Sequence, residues 1–192
     1  MGKGWLEAFS DGVIAVIITI MVLEMKAPHG ADLEALREVL PTFFNYILSF
    51  VYVGIYWNNH HHLLHTVKHV AGAIMWANLH LLFWLSLIPF TTGWAGENHF
   101  SAWPTALYGF VLFMAGLAYF LLERAIIACH GGHESMLASA VGDDLKAKIS
   151  MVGYAAAVGL AFAQPMAANA IYAAIALMWL VPDRRIQSRI EQ

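Results

Sequence analysis

The first apolar run of the chain holds an acid. In WLEAFSDGVIAVIITIMVLEM, residues 5–25, Asp11 and its neighbour Ser10 sit about a quarter of the way into a stretch otherwise fit to cross a bilayer. A carboxylate in hydrocarbon costs roughly 2.5 to 3.5 kcal/mol even on lenient insertion scales, so it must answer to a partner or a function. A second polar group, WNNHHHLLH at residues 57–65, closes another apolar run, and Asn78 lies inside a third. His61, His65 and His69 are spaced i, i+4, i+8, a pattern that could present imidazoles to a metal ion along one helix face. That spacing admits a metal-ion transporter or, with several such boxes, a histidine-box membrane enzyme. The other histidine cluster, HGGHE at residues 130–134, falls in a loop and lacks helical ligand spacing. The sequence therefore points away from an enzyme, and no cofactor or resident metal is expected. Lone His80 reads as a hydrogen-bonded packing residue.

The elements that carry these groups are membrane spans. Of 192 residues, 60% are hydrophobic and only 12% charged, about half the charge usual in a soluble domain. The apolar residues fall in blocks of about 17 to 25, the length that crosses a ~30 Å hydrocarbon core. A single Cys129 excludes an intrachain disulfide, and a net charge of −3 gives no sign of a nucleic-acid partner. The first run is too long for a cleavable leader. Six spans are expected, at about 5–25, 41–62, 70–91, 104–127, 145–164 and 165–182. ADLEALREV, before the second, is a surface turn or the start of that helix. The last two are rich in small residues, which suits a close helical hairpin.

Charge sets the orientation. With six spans, Lys3, Lys68, Arg124, Lys146, Lys148, Arg184, Arg185 and Arg189 fall on one side and only Lys26 and Arg37 on the other. That bias places both termini in the cytoplasm. Trp5, Trp57, Trp94 and Trp103 fall near span ends, as interfacial aromatics do. The second span then descends and the third ascends, bringing the residue 57–65 cluster and Asn78 to the depth of Asp11. A network of Ser10, Asp11, His60 or His61 and Asn78, with Trp57 donating its indole N–H, is the expected pairing. TTGWAG, at 91–96, lacks the pattern of a carbonyl-lined filter.

The first helix has two faces. At 100° per residue from Val16, Ile20 falls near 40°, Leu23 near −20°, Phe9 near 20° and Thr19 near −60°, all about one stripe. Asp11 falls at about −140° and Ser10 at about 120°, behind it.

EAFSD with its following Ile/Val-rich helix, the W-x-x-H-H of Trp57, His60 and His61, WANLHLLF with Asn78, and LIPF around Pro89 together resemble the transmembrane protein 175 family. These are the endo-lysosomal potassium channels and their prokaryotic relatives. The family pattern is R-x-x-x-F-S-D, with Trp5 here at the arginine position. The likeness covers the first three spans, and the remainder by span count. It implies an all-α polytopic protein, residues 1–192 forming one six-helix channel domain of the single-repeat prokaryotic branch. It further implies a homotetramer in the cell membrane whose central pore, lined by the first helix, passes potassium ions. By resemblance, Val16, Ile20 and Leu23 form the constriction and Thr19 bears on selectivity. Phe9, Ser10 and Asp11 join the polar residues Trp57, His60, His61 and Asn78 to hold the pore helix. Proton permeation and metal transport through the histidines remain alternatives.

Overall fold

The computed structural model describes residues 2–130 and 145–180. Within them are seven helices: α1 Lys3–Leu23, α2 Leu33–His65, α3 Gly72–Ser86, α4 Ile88–Glu97, α5 Ala102–Cys129, α6 Leu145–Leu160 and α7 Pro165–Leu180. The described residues contain no strand. Four stretches are long and apolar enough to cross a membrane: α1, α2, the combined α3–α4 and α5. The last pair, α6 and α7, have 16 residues each. At 1.5 Å per residue that is about 24 Å, short of a ~30 Å core. Most of the HGGHE segment, Arg184, Arg185, Arg189 and the end of the sixth expected span lie outside the described residues.

One boundary takes the second of two expected readings and another departs from expectation, both for backbone reasons. Residues 33–39 of ADLEALREV open α2, because the Asp32 side chain caps the helix by accepting from the Ala35 N–H at 2.9 Å. A carboxylate at that position satisfies an otherwise unpaired amide. The helix then runs 33 residues through Pro41. The third span is split. Pro89 has no N–H to return to the turn before it, so α3 stops at Ser86. The chain bends at Leu87, and Pro89 sits at the start of α4, where a missing N–H costs little. The span also continues to Glu97 rather than ending near residue 91.

α5 is the central element, packed against α3, α4 and α6. Small residues let the neighbours close in. Ala157, Ala161, Ala168 and Ala176 are buried along α6, α7 and the turn between them. Gly109 of α5 leaves the space taken by the Tyr172 ring, and Gly96 of α4 lies against the backbone and side chain of Thr42 on α2. A second polar seam ties these helices together. Thr92 donates to the Ile88 carbonyl at 2.7 Å, so Ser49 donates to Thr92 at 2.6 Å and Tyr108 to Ser49 at 3.0 Å.

A Cβ at Gly96 would press on Thr42 backbone, which cannot rotate away. Gly96→Ala is therefore expected to cost about 1–3 kcal/mol through overpacking. The check is a lower midpoint in thermal unfolding of the purified protein by size-exclusion chromatography. An unchanged midpoint would mean that α2 and α4 can part without loss.

Candidate functional site

α1 is apolar on nearly all sides, yet only one face is packed. Leu6, Ser10, Ile14, Ile17 and Met21 are buried against the bundle. On the other face Val16 is 54% exposed, Ile20 41% and Leu23 76%, and Thr19 is exposed beside them. Trp5 and Phe9, 75% and 50% exposed, continue the same side toward the N-terminal end. Phe9, Val16 and Ile20 form one wall of an open apolar groove whose opposite lip is Ser86 and Pro89. Phe9 thus stands with the apolar stripe and apart from the polar residues.

Behind the stripe the polar residues form two separate units. The dry one is a chain of three side chains. Ser10 donates to the Leu6 carbonyl at 2.8 Å, leaving its oxygen to accept from the Asn78 amide nitrogen at 2.9 Å. The Asn78 oxygen then faces His60 Nε2 at 2.6 Å. An amide oxygen can only accept, so His60 carries its proton on Nε2. Ser10, His60 and Asn78 are all buried. The other unit is half-exposed: Trp57 donates its indole N–H to Asp11 Oδ1 at 3.0 Å. His61 belongs to neither unit, since its ring lies over Trp57 and beside His62 and His65.

A cation missed in the sequence completes this end. Lys3 donates to the His65 carbonyl at 2.7 Å and lies 3.6 Å from Glu7. An ammonium at a helix C-terminus meets its unpaired carbonyls and the negative end of its dipole. Trp5, at the family's arginine position, points outward and takes no part. The nearby cation is two residues earlier.

The histidine set does not assemble. α2 ends at His65, so His69 leaves the helical spacing that joined it to His61 and His65. Its ring packs instead on His130, 4.6 Å between centroids. His130 accepts from the Lys68 amide at 3.0 Å and donates from Nδ1 to the Ile126 carbonyl at 2.9 Å. Among the described residues no group of three or more His, Cys, Asp or Glu side chains could hold a metal ion. His80 accepts from the Trp84 indole at 2.9 Å. Asp11 is also not the only acid inside a span: Glu123, in α5, is buried. Its place within a continuous apolar helix was the available signal.

Comparison with known proteins gives the chain relatives of one kind. The family profile described as endosomal/lysosomal potassium channel TMEM175 matches residues 5–89. A protein of Chryseobacterium sp. strain P1-3 named as a potassium channel is 52% identical over 192 residues, all of both chains. Another so named, from Streptomyces collinus, is 30% identical over 189 residues, 92% of this chain and 91% of that one. The fold matches the crystal structure of a lysosomal potassium-selective channel TMEM175 homolog from Chamaesiphon minutus. The TM-score is 0.80 and the identity 22%, over 93% of this chain and 96% of that one.

The buried chain makes a graded prediction. Asn78→Leu strands the His60 N–H and takes from Ser10 the donor it accepts from, and should lower stability by about 1–3 kcal/mol for the buried imidazole left unpaired. Ser10→Ala strands only the Asn78 amide and should cost less. Trp57→Phe acts on the half-exposed unit and should cost least. Thermal midpoints in one detergent give the order, and equal losses for all three would show that the dry and wet units are not distinct.

Proposed function

The chain belongs to the TMEM175 family of potassium channels, and we propose from that membership that it conducts potassium ions passively through a pore built around α1. It is not an enzyme. One chain offers a single exposed stripe, so several copies must surround the path, and the family likeness makes the number four. Both termini face the cytoplasm of a prokaryotic cell, following the distribution of Lys and Arg.

The observation that carries this reading is the division of α1. An apolar helix that buries Ser10, Ile14, Ile17 and Met21 but leaves Val16, Ile20 and Leu23 open has a face reserved for something outside the subunit. Four copies of that face make three successive apolar rings. Such rings narrow the path and conduct only when wetted. Thr19 donates its hydroxyl proton to the Val16 carbonyl at 2.9 Å, which leaves the oxygen lone pairs directed away from the helix. That oxygen is the polar atom beside the rings through which selectivity acts. Ser10, Asp11, Trp57, His60 and Asn78 work behind the wall, while Phe9 stands with the stripe. They fix which face of α1 turns to the ion, and His61 supports Trp57 from outside. A metal-transport path through His61, His65 and His69 loses its support, because His69 packs on His130 and does not join the other two.

The test is current through the purified protein in a planar bilayer with potassium on one side and sodium on the other. The expected reversal potential is displaced from zero in the direction of potassium permeation. A reversal at zero would remove selectivity. Ile20→Asn should wet the constriction and raise conductance several-fold while leaving oligomer yield unchanged. Asp11→Ala should instead reduce oligomer yield, and a change of selectivity with assembly intact would move Asp11 into the ion path.

A further inference from the structure

Between α2 and the α5–α6 pair the bundle is not filled. Tyr56 meets Tyr119 across this gap at 6.3 Å between centroids, and Tyr52 meets Tyr154 at 6.3 Å. The space they leave is about 70 Å³. A water needs roughly 10 to 15 Å³ by the same measure, so about five methylene-sized groups fit. Gly116 keeps the room. A Cβ there would stand 3.3 Å from Met151 Sδ and 3.7 Å from the Tyr56 hydroxyl, both residues of the cavity wall.

Position and lining say what fills it. The cavity runs along residues 116–123 of α5 and 147–154 of α6, in the half of the bundle where α5 ends and α6 begins. On the orientation proposed above, that half lies in the cytoplasmic leaflet. The rim reaches the outer surface, where Phe120 is 43% exposed. Much of the polar lining is already engaged. Tyr52 donates to the Tyr172 carbonyl and Tyr119 to the Asn59 carbonyl, while Ser150 accepts from Trp179 and donates to the Lys146 carbonyl. Glu123, in the same wall, also has its partner within the protein. What remains for an occupant is chiefly carbon.

Cations stand at the edge. Arg124, itself exposed, lies 5.1 Å from the Phe120 centroid, and Lys146 lies 6.0 Å from that of Trp179. Both rings belong to the cavity wall. The Arg124 guanidinium makes no hydrogen bond with the described residues. Its fork of N–H donors is left for an outside acceptor, and a phosphate matches that fork. A basic pocket between spans on the cytoplasmic side suits an anionic lipid headgroup.

We propose that an anionic phospholipid binds here, one per subunit, with a stretch of one acyl chain in the cavity beside Gly116 and its phosphate on Arg124. A choline lipid would bring a cation of its own to the basic rim. A soluble phosphate would leave the apolar cavity empty.

Native mass spectrometry of the full-length protein, equilibrated in detergent with equal dioleoylphosphatidylglycerol and dioleoylphosphatidylcholine, counts the lipids retained. One phosphatidylglycerol per subunit should remain, favoured roughly fivefold or more over phosphatidylcholine. Arg124→Gln should bring the two lipids near parity. Gly116→Leu fills the seat of the chain and should remove the retained lipid, with the oligomer mass unchanged in both variants. Trp179 reports the place. Its emission, taken as wild type minus Trp179→Phe, should be quenched more by chain-brominated phosphatidylglycerol than by chain-brominated phosphatidylcholine. Equal retention of the two lipids by the wild type would overturn the anionic headgroup. Retention unaltered by Arg124→Gln, or Trp179 quenching that does not differ between the lipids, would place the lipid elsewhere and overturn the site, even if Gly116→Leu failed to fold. Neither readout uses ion current, so failure here leaves the pore reading untouched.

Discussion

The hydrogen bond from Asn78 to Ser10, 2.9 Å long and wholly buried, fixes how α1 is turned about its own axis. Apolar packing cannot do this. Lipid tails are as apolar as Leu or Ile, so rotating an apolar helix in a membrane changes little hydrophobic free energy. A step of one residue is 100°. Such a turn would take Ser10 away from Asn78 and leave the Asn78 amide N–H without its acceptor in a dry interface, at about 1–3 kcal/mol. One serine therefore decides that Val16, Ile20 and Leu23 stay on the open side. The acid at position 11 is secondary in this respect, since it sits at the edge of the packed face and meets Trp57 where water can reach.

The rest of the bundle gives Asn78 and His60 fixed positions from which to hold α1. α3 carries Asn78, and α3 is seated on α5, the most enclosed helix. α2 carries His60 and is seated on α4 through Gly96 and through the Tyr108–Ser49–Thr92 chain. Small residues and hydroxyl pairs do this work because close contact and hydrogen bonding, rather than hydrophobic exclusion, hold helices together in lipid. The same logic explains the aromatic wedge between α2 and the α5–α7 group. Tyrosines fill a wide gap and each buried hydroxyl needs a partner. Tyr56 lines the space where the gap is not completely filled.

Much of this was legible in the sequence, and the failures have physical causes. The two faces of α1 follow from a 3.6-residue period acting on one serine, one aspartate and a run of β-branched residues. The depth match of His60, Asn78 and Ser10 follows from counting spans. Other features depend on backbone events that spacing does not encode. Spacing groups His69 with His61 and His65, because nothing in LLHTVKHV announces that the helix stops at His65. Pro89 signalled a disturbance but not whether the helix would kink or restart. Phe9 shares a motif with Ser10 and Asp11 yet points 100° away from Ser10, so adjacency in sequence was a poor guide to shared contacts. Glu123 is weakly marked in the sequence, because its helix runs into a charged loop end, where an acid is usually solvated.

The two ends of α1 are secured by different physics. At the N-terminal end the Ser10–Asn78–His60 chain is buried and uncharged, and salt in solution does not screen it. At the other end, just beyond α1, Lys26 meets Glu97 at 2.6 Å in an exposed pair. Hydrogen bonding to Glu97, and then its charge, raise the Lys26 ammonium above its ordinary pKa. A group raised in the folded state contributes fully below its unfolded pKa and fades only as the pH climbs through the folded value, so this tie is intact at neutral pH. Being exposed, it is weak and yields to ionic strength. Glu24 adds a contact of shape there by packing over Gly93, where a Cβ would lie 3.0 Å from its carboxylate oxygen. Ionic conditions can thus loosen the far end of α1 while its rotation stays set at the near end. The apolar stripe lies between the two, on a helix with one firm anchorage and one adjustable one.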